Sequence, residues 1–403
     1  MIFLFVRHLV DLDHFTPLAY ALGKSGRRAA LVTYTANIPT DDFRLSFLET
    51  QAGVEVVHLA ADEAGLNPNL TIDEIFQIFS KSVFEELFNP VEGAVFVHER
   101  EWNAFTERLE QISRERGVPM ICAPAYAETF INFLQRFDVF DQGPLKRGYA
   151  GVENFRAVIS PGGPIDERLE RSFWPGKRVV LGSPRFSLEW IDVLRDIAPP
   201  AVIGGREGNL RLAIFMRNRF YPVFWSELFA ALKLMLRFPN VSIAIVGHIR
   251  KGDRSAYWDP LFGDVEFPFP REKFQFGKNS EIFEVAEGTA ATRVMEWADC
   301  VLNMGTSVVM EAVALRKPVF SLDNLHSNVT VTARYLPSTH IGCRDDLLKV
   351  MLALVRNRES AIEQFYDTDR WTSFVRVFLG EGDVLARYSD YFDEARVAAI
   401  GKD

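Results

Sequence analysis

Cysteine is scarce in this chain. Cys122, Cys300 and Cys343 are the only 3 among 403 residues, and they form no Cys-x-x-Cys pair. That spacing argues against a zinc site and against a disulfide framework, and it suits a reducing cytoplasm. Long apolar runs are also missing: no stretch approaches the roughly 18 uncharged apolar residues of a membrane span. The first run, Ile2–Val6, stops at Arg7 with no basic leader before it and no long apolar segment after it. The expectation is a protein that is neither exported by a standard signal nor membrane-spanning. Positive charge is in deficit, 45 Lys and Arg against 54 Asp and Glu, for a net charge of -9. Broad attraction to nucleic acid or to an anionic membrane is therefore not expected, although local basic clusters can still hold an anion. No repeat of fixed period and no low-complexity segment is present.

The rest is ordinary globular composition, with 48% hydrophobic and 25% charged residues. The length suits two or three domains, and most of the 34 phenylalanines are expected in their cores. Short apolar runs alternate with amphipathic stretches from the start. Strands are expected at 2–6, 29–34, 54–59, 93–99, 118–124, 155–162 and 177–185, and helices at 13–26, 41–51, 72–88 and 101–116. Such alternation implies a parallel sheet covered on both faces. Pro199, Pro200, Gly204, Gly205 and Gly208 then interrupt the pattern as a domain boundary would. Beyond them it resumes, with strands at 210–218, 241–248, 281–287, 299–305 and 317–323, a helix over 220–239 and an amphipathic tail at 383–401. The reading is two doubly wound α/β domains with a cleft between them: 1–197, 209–380, and a terminal helix at 381–403 returning to the first domain.

One stretch concentrates chemistry, "NMGTSVVMEAVALRKPVFSLDN" at 303–324. In an open α/β sheet, ligands collect at the carboxyl ends of strands. The strand at 299–304 delivers Gly305, Thr306 and Ser307 to that edge as a helix begins. Backbone N–H groups and the helix dipole there favour a phosphate, and the hydroxyls can donate to it. Glu311 lies four residues past Ser307 and is suited to accept from ribose hydroxyls. The plainer alternative makes Thr306 or Ser307 a helix cap and Glu311 a solvated acid. "VGHIRKGD" offers His248, Arg250 and Lys251 between Gly247 and Gly252, either a cationic rim for phosphate or an isolated basic turn. Arg217 and Arg219, at the exit of the second domain's first strand, are weaker candidates for the same diphosphate. "SPGGPIDERLE" lacks the lysine and spacing of a phosphate loop and more simply ends a strand.

Taken together, "HFTPLAYALGKSG", "GSPRF", "VGHIRKGD" and "WADCVLNMGTSVVMEAVALRKPVF" resemble the GT-B class of nucleotide-sugar glycosyltransferases. The likeness is to its bacterial surface-polysaccharide branch and to the related sugar-nucleotide 2-epimerases and polyol-phosphate transferases. Relatives often carry proline after the loop histidine, whereas here Ile249 follows His248. The resemblance implies two Rossmann-like domains facing a cleft, the donor nucleotide on the second and the acceptor on the first. It implies a metal-independent transfer with no cofactor, the nucleotide-sugar being a substrate, to a glycan, lipid-linked or protein acceptor. Nucleic acid is not an expected partner, oligomeric state is open, and peripheral association with the inner membrane face is compatible with a cytoplasmic location. The base that takes the acceptor proton is expected in the first domain. Asp11, Asp13, His14, His98, Glu99 and Glu128 are the candidates, with His14 and Glu128 preferred. His14 is expected at a helix start, where the dipole would keep the imidazole neutral; a packing or capping role is its alternative. An epimerase, a polyol-phosphate transferase and a catalytically silent nucleotide binder are the competing readings.

Overall fold

The computed structural model describes residues 1–6, 9–34, 38–59, 95–98, 110, 113–114, 117–123, 155–160, 162, 178–216, 223–247, 256–259, 263–266, 271–325, 332, 335–365 and 368–400. These form two units, one from the residues before 198 together with those from Arg376 onward, the other Ala198–Val375. The first is built on β1 (Ile2–Val6), α1 (Leu9–Lys24), β2 (Ala29–Tyr34), α2 (Phe43–Glu49), β3 (Val54–Leu59), β4 (Val95–His98), β5 (Met120–Cys122), β6 (Ala157–Ser160), β7 (Arg178–Val180) and α3 (Leu188–Ile197). Its seven strands lie in the order β3-β2-β1-β4-β5-β6-β7, all parallel. The order explains the composition of β1, which reads IFLFV and is buried at every position. A central parallel strand is covered on both faces and has no use for polar alternation. Ile2, Leu4 and Val6 join the cluster that holds Leu12, Phe15 and Leu22 of α1. Phe3 and Phe5 take the other face, their rings stacked at 6.4 Å.

The second unit repeats the plan. It comprises β8 (Leu210–Phe215), α4 (Trp225–Leu236), β9 (Val241–Val246), β10 (Ala256–Asp259), β11 (Gly263–Glu266), β12 (Glu281–Glu284), α5 (Ala291–Trp297), β13 (Cys300–Asn303), α6 (Val309–Ala314), β14 (Val319–Leu322), β15 (His340–Ile341), α7 (Arg344–Arg356), α8 (Arg358–Phe365) and α9 (Thr368–Phe378). Six strands form a parallel sheet in the order β12-β9-β8-β13-β14-β15, while β10 and β11 pair separately as an antiparallel hairpin. α4 buries Trp225, Leu228, Ala231, Leu232, Met235 and Leu236, the spacing of one helical face. That face packs with Leu212, Ile214, Ile243 and Ile245 of the sheet and with Leu347, Val350 and Met351 of α7.

The Pro- and Gly-containing stretch that the sequence marks as a boundary is fitted to the second unit. Arg293 of α5 donates to the Ala198 and Pro199 carbonyls at 2.6 and 3.3 Å, and the Arg206 N–H donates to Glu281 Oε1 of β12 at 2.7 Å. After α9 the chain returns to the first unit, where α10 (Val384–Ile400) lies along α1. Val384, Tyr388 and Phe392 complete the cluster above β1, and the Tyr388 hydroxyl donates to the Gly182 carbonyl at 2.9 Å. The crossing before α10 is tight: Ser183 N–H donates to Leu379 O at 2.7 Å, and Gly182 has φ 94. A Cβ on Gly182 would stand 2.8 Å from that same carbonyl oxygen, so only glycine fits.

Candidate functional site

In a doubly wound sheet the ligand crevice opens where the connections diverge, at the carboxyl ends of two central strands. The strand order puts that point between β8 and β13 in the second unit. β13 is a buried run, Cys300 to Asn303, paired to β8 on one side and β14 on the other. Its last residue, Asn303, is buried, and its side chain turns back on the chain that follows. Asn303 Oδ1 accepts the Gly305 N–H at 2.7 Å and the Thr306 N–H at 3.1 Å. Gly305 takes φ 83, which permits the sharp reversal.

The backbone amides can be accounted for one by one. Val309, Met310 and Glu311 donate to Thr306, Ser307 and Val308 carbonyls at 3.4, 3.0 and 3.0 Å, so the helix opens with a tight i to i-3 turn. Gly305 and Thr306 are occupied by Asn303. The N–H groups of Ser307 and Val308 are left, and neither makes a hydrogen bond among the described residues. Thr306 Oγ1 is buried and also has no hydrogen-bond partner there. Neither Thr306 nor Ser307 serves as a side-chain cap: Val308 holds the N-cap position, with no side-chain bond. The expectation of a generally open helix start is thus narrowed to two amides and one hydroxyl. α6 has only six residues, so discrete donors rather than a long helix dipole define this turn.

Glu311 is not the solvated acid of the plainer reading. It is 5% exposed, the single charged residue in a helix whose six members are all buried. Burying a carboxylate among Val, Met and Ala is costly. The helix is stopped at once: Arg316 adopts φ 55, and the N–H groups of Arg316 and Lys317 donate to Val313 and Ala312 carbonyls at 3.1 and 2.8 Å. Lys317 Nζ then ties this end to the Ala298 carbonyl at 2.6 Å. Gly305, Thr306, Ser307 and Glu311 therefore share one turn and one short helix.

The first unit holds His14, and its setting corrects the expected one. α1 begins at Leu9, which puts His14 at the sixth helical residue, past the first turn where a dipole argument applies, and only 2% exposed. Asp11 is buried as well. Asp13 is bound between two arginines: Arg185 Nη2 lies 3.0 Å from Asp13 Oδ2, and Arg44 also bonds Asp13. Arg44 is held in turn by Asp42, whose Oδ1 accepts from the Arg44 N–H at 3.0 Å at the start of α2. Burial alone would raise the Asp13 carboxyl, but Arg185 and Arg44 outweigh it and hold the group below the ordinary aspartate range. A carboxylate so stabilised in its ionised form is a poor proton acceptor. Glu99, Glu128, Arg217, Arg219, His248, Arg250 and Lys251 lie outside the described residues, as does the side chain of His98 at the end of β4. Among the described residues, no three His, Cys, Asp or Glu side chains gather as a metal would require.

Asn303 is the functional-looking residue that the sequence reading passes over. Its signal was available: an Asn two residues before Gly at a strand's end is a side chain able to mimic a backbone turn.

Solved structures share this architecture over nearly the whole chain. The UDP-GlcNAc 2-epimerase of Neisseria meningitidis, determined with UDP-GlcNAc bound, matches with a TM-score of 0.57 and 15% identity, covering 99% of this chain and 100% of that one. TcCGT1 in complex with UDP matches with a TM-score of 0.55 and 12% identity over 98% of this chain and 99% of that one. The wall teichoic acid polymerase TagF matches with 0.51 and 13%, covering 100% of this chain and 89% of that one. No protein-family model matches the chain, and neither does any curated protein sequence. The fold is the GT-B type, two Rossmann-like units, as the sequence resemblance implied.

Proposed function

We propose that this protein is a glycosyltransferase that takes a sugar from a nucleotide donor, with the donor's phosphates at the turn 305–308. The observation that carries the reading is the set of donors unused among the described residues at the switch point of the second sheet: the Ser307 and Val308 N–H groups and Thr306 Oγ1, one helical turn from buried Glu311. Neutral donors fixed by the fold suit a phosphate oxygen, and they suit better the charge that grows on a departing nucleoside diphosphate. The Glu311 carboxylate, an acceptor only, repels phosphate and suits the ribose hydroxyls of the same nucleotide. Arg217, His248, Arg250 and Lys251 supply the cationic part of this proposal, and His14 or Glu128 the base that takes the acceptor's proton. The GT-B-type fold supports the same reading, because solved proteins of that fold carry UDP or a UDP-sugar.

Titration calorimetry with UDP, CDP, GDP and dTDP tests it. One of them is expected to bind, and Glu311→Gln to weaken that binding by about tenfold to a hundredfold, about 1.4 to 2.7 kcal/mol. An unchanged dissociation constant removes Glu311 from the ribose, and absence of binding by all four removes the nucleotide. The likeness to a 2-epimerase favours epimerisation as a second reading. With a UDP-sugar as substrate, transfer moves the sugar to an acceptor hydroxyl and releases UDP, while epimerisation returns an isomeric sugar nucleotide; transfer of a polyol phosphate releases CMP from its CDP donor instead.

A further inference from the structure

Three buried side chains behind the turn are hydrogen-bonded to one another. Asn303, Ser321 of β14 and Thr332 are 2%, 0% and 1% exposed. Asn303 Nδ2 donates to Thr332 Oγ1 at 3.1 Å and to Ser321 Oγ at 3.4 Å, and the two hydroxyl oxygens are 2.6 Å apart. With Oδ1 taking the Gly305 and Thr306 N–H groups, all four hydrogen-bonding positions of the Asn303 amide are filled. Its orientation is thereby fixed, since the reversed amide would point N–H groups at N–H groups. A fully satisfied polar network in the interior is rigid, and losing one member strands the others.

We infer that Asn303 is a positioning residue for the anion turn and that Thr332 acts on the turn through it. The amide does two things that no other neutral side chain of its size does. It accepts two backbone donors, which turns the Ser307 and Val308 N–H groups and Thr306 Oγ1 into the donors left for a ligand. It also supplies this acceptance without a negative charge, which directly beneath a phosphate would cancel what those donors contribute. Thr332, twenty-nine residues further along the chain, orients the amide from behind. The inference rests on the nucleotide reading for its ligand, but the positioning itself can be read with no ligand present.

Hydrogen exchange is the ligand-free measurement. In the wild-type protein the Gly305 and Thr306 amides are expected to be protected and those of Ser307 and Val308 to exchange rapidly. Thr332→Val keeps the shape and removes the hydroxyl, and it should speed exchange at Gly305 and Thr306 about tenfold or more. Rapid wild-type exchange at those two amides, or no response to Thr332→Val, overturns the inference. The second measurement uses Asn303→Asp, which is isosteric and keeps both acceptor positions. For whichever diphosphate binds the wild type, this variant should lose tenfold or more in affinity. The loss should shrink as pH is lowered and the introduced carboxyl takes a proton, and binding of the parent nucleoside should not change. An equal loss for nucleoside and diphosphate, or a loss independent of pH, means a structural role only and overturns the positioning role. Wild-type protein that binds no diphosphate but shows the exchange pattern sinks the nucleotide reading and leaves the turn's architecture standing.

Discussion

Asp13 shows how a single residue can look catalytic in sequence and be structural in place. Its carboxylate lies between Arg185 and Arg44, and its affinity for a proton is lowered in the folded state. The sign of the consequence follows by linkage. A carboxyl whose folded pKa is depressed adds stability that is fully present above its unfolded value, about 3.9, and lost as pH falls through the lower folded value. Asp13→Asn should therefore destabilise the protein at pH 7, and the gap between variant and wild type in urea unfolding should close progressively below about pH 4. A gap that stays constant with pH would mean that the pair with Arg185 and Arg44 contributes nothing through charge. "DLDHF" could not reveal this from sequence, because Asp13's partners sit at 44 and 185, one at the start of α2 and one in the turn before α3. Glu311 was singled out as a candidate by spacing alone, whereas its burial could not be read from the sequence. Asn303 was visible too, but its meaning needed Ser321 and Thr332 to be placed beside it.

At the scale of elements, what the sequence shows well is the central strand. β1, β2 and β8 fall where their apolar runs begin, because a strand buried on both faces leaves a nearly unbroken hydrophobic signature. The edges of the reading were trimmed by one to five residues, as at β5, which is only Met120–Cys122, and at β7, which is only Arg178–Val180. α1 extends to Leu9, earlier than its apolar periodicity suggests, because Asp11 suits a first helical turn and Pro17 breaks the pattern within the helix. The hairpin β10–β11 escaped notice: two four-residue strands carry too few positions for a period of two to show. Nor does periodicity indicate how elements are fastened. Gly182 sits at positive φ beneath the Leu379 carbonyl, so Gly182→Ala meets both a strained backbone and a close oxygen. The expected cost is at least about 2 kcal/mol, measurable as a lower unfolding midpoint. A neutral substitution would show that the crossing can open freely.

For the whole molecule, the division into units does not follow chain order. Among the described residues the second unit is the single run Ala198–Val375, while the first is completed by residues from Arg376 onward. Val384, Leu385, Tyr388 and Phe392 of α10 are each at most 4% exposed. At about 1.5 to 3 kcal/mol per buried large side chain, they rival the 5 to 15 kcal/mol of net stability typical of a domain. Removing the residues from Val384 onward should therefore abolish the calorimetric transition of the first unit and leave that of the second. Two transitions at unchanged temperatures would show the terminal helix to be dispensable.

The same return of the chain sets a timetable on the ribosome. The sheet begun by Ile2–Val6 emerges before the second unit, yet the helix that covers one of its faces is made only after all of Ala198–Val375. At about 5 to 20 residues per second that interval is roughly 10 to 40 s. Throughout it, Leu4, Phe15 and Leu22 lack the cover of Tyr388 and Phe392, so the nascent protein presents a hydrophobic face to chaperones until α10 is released.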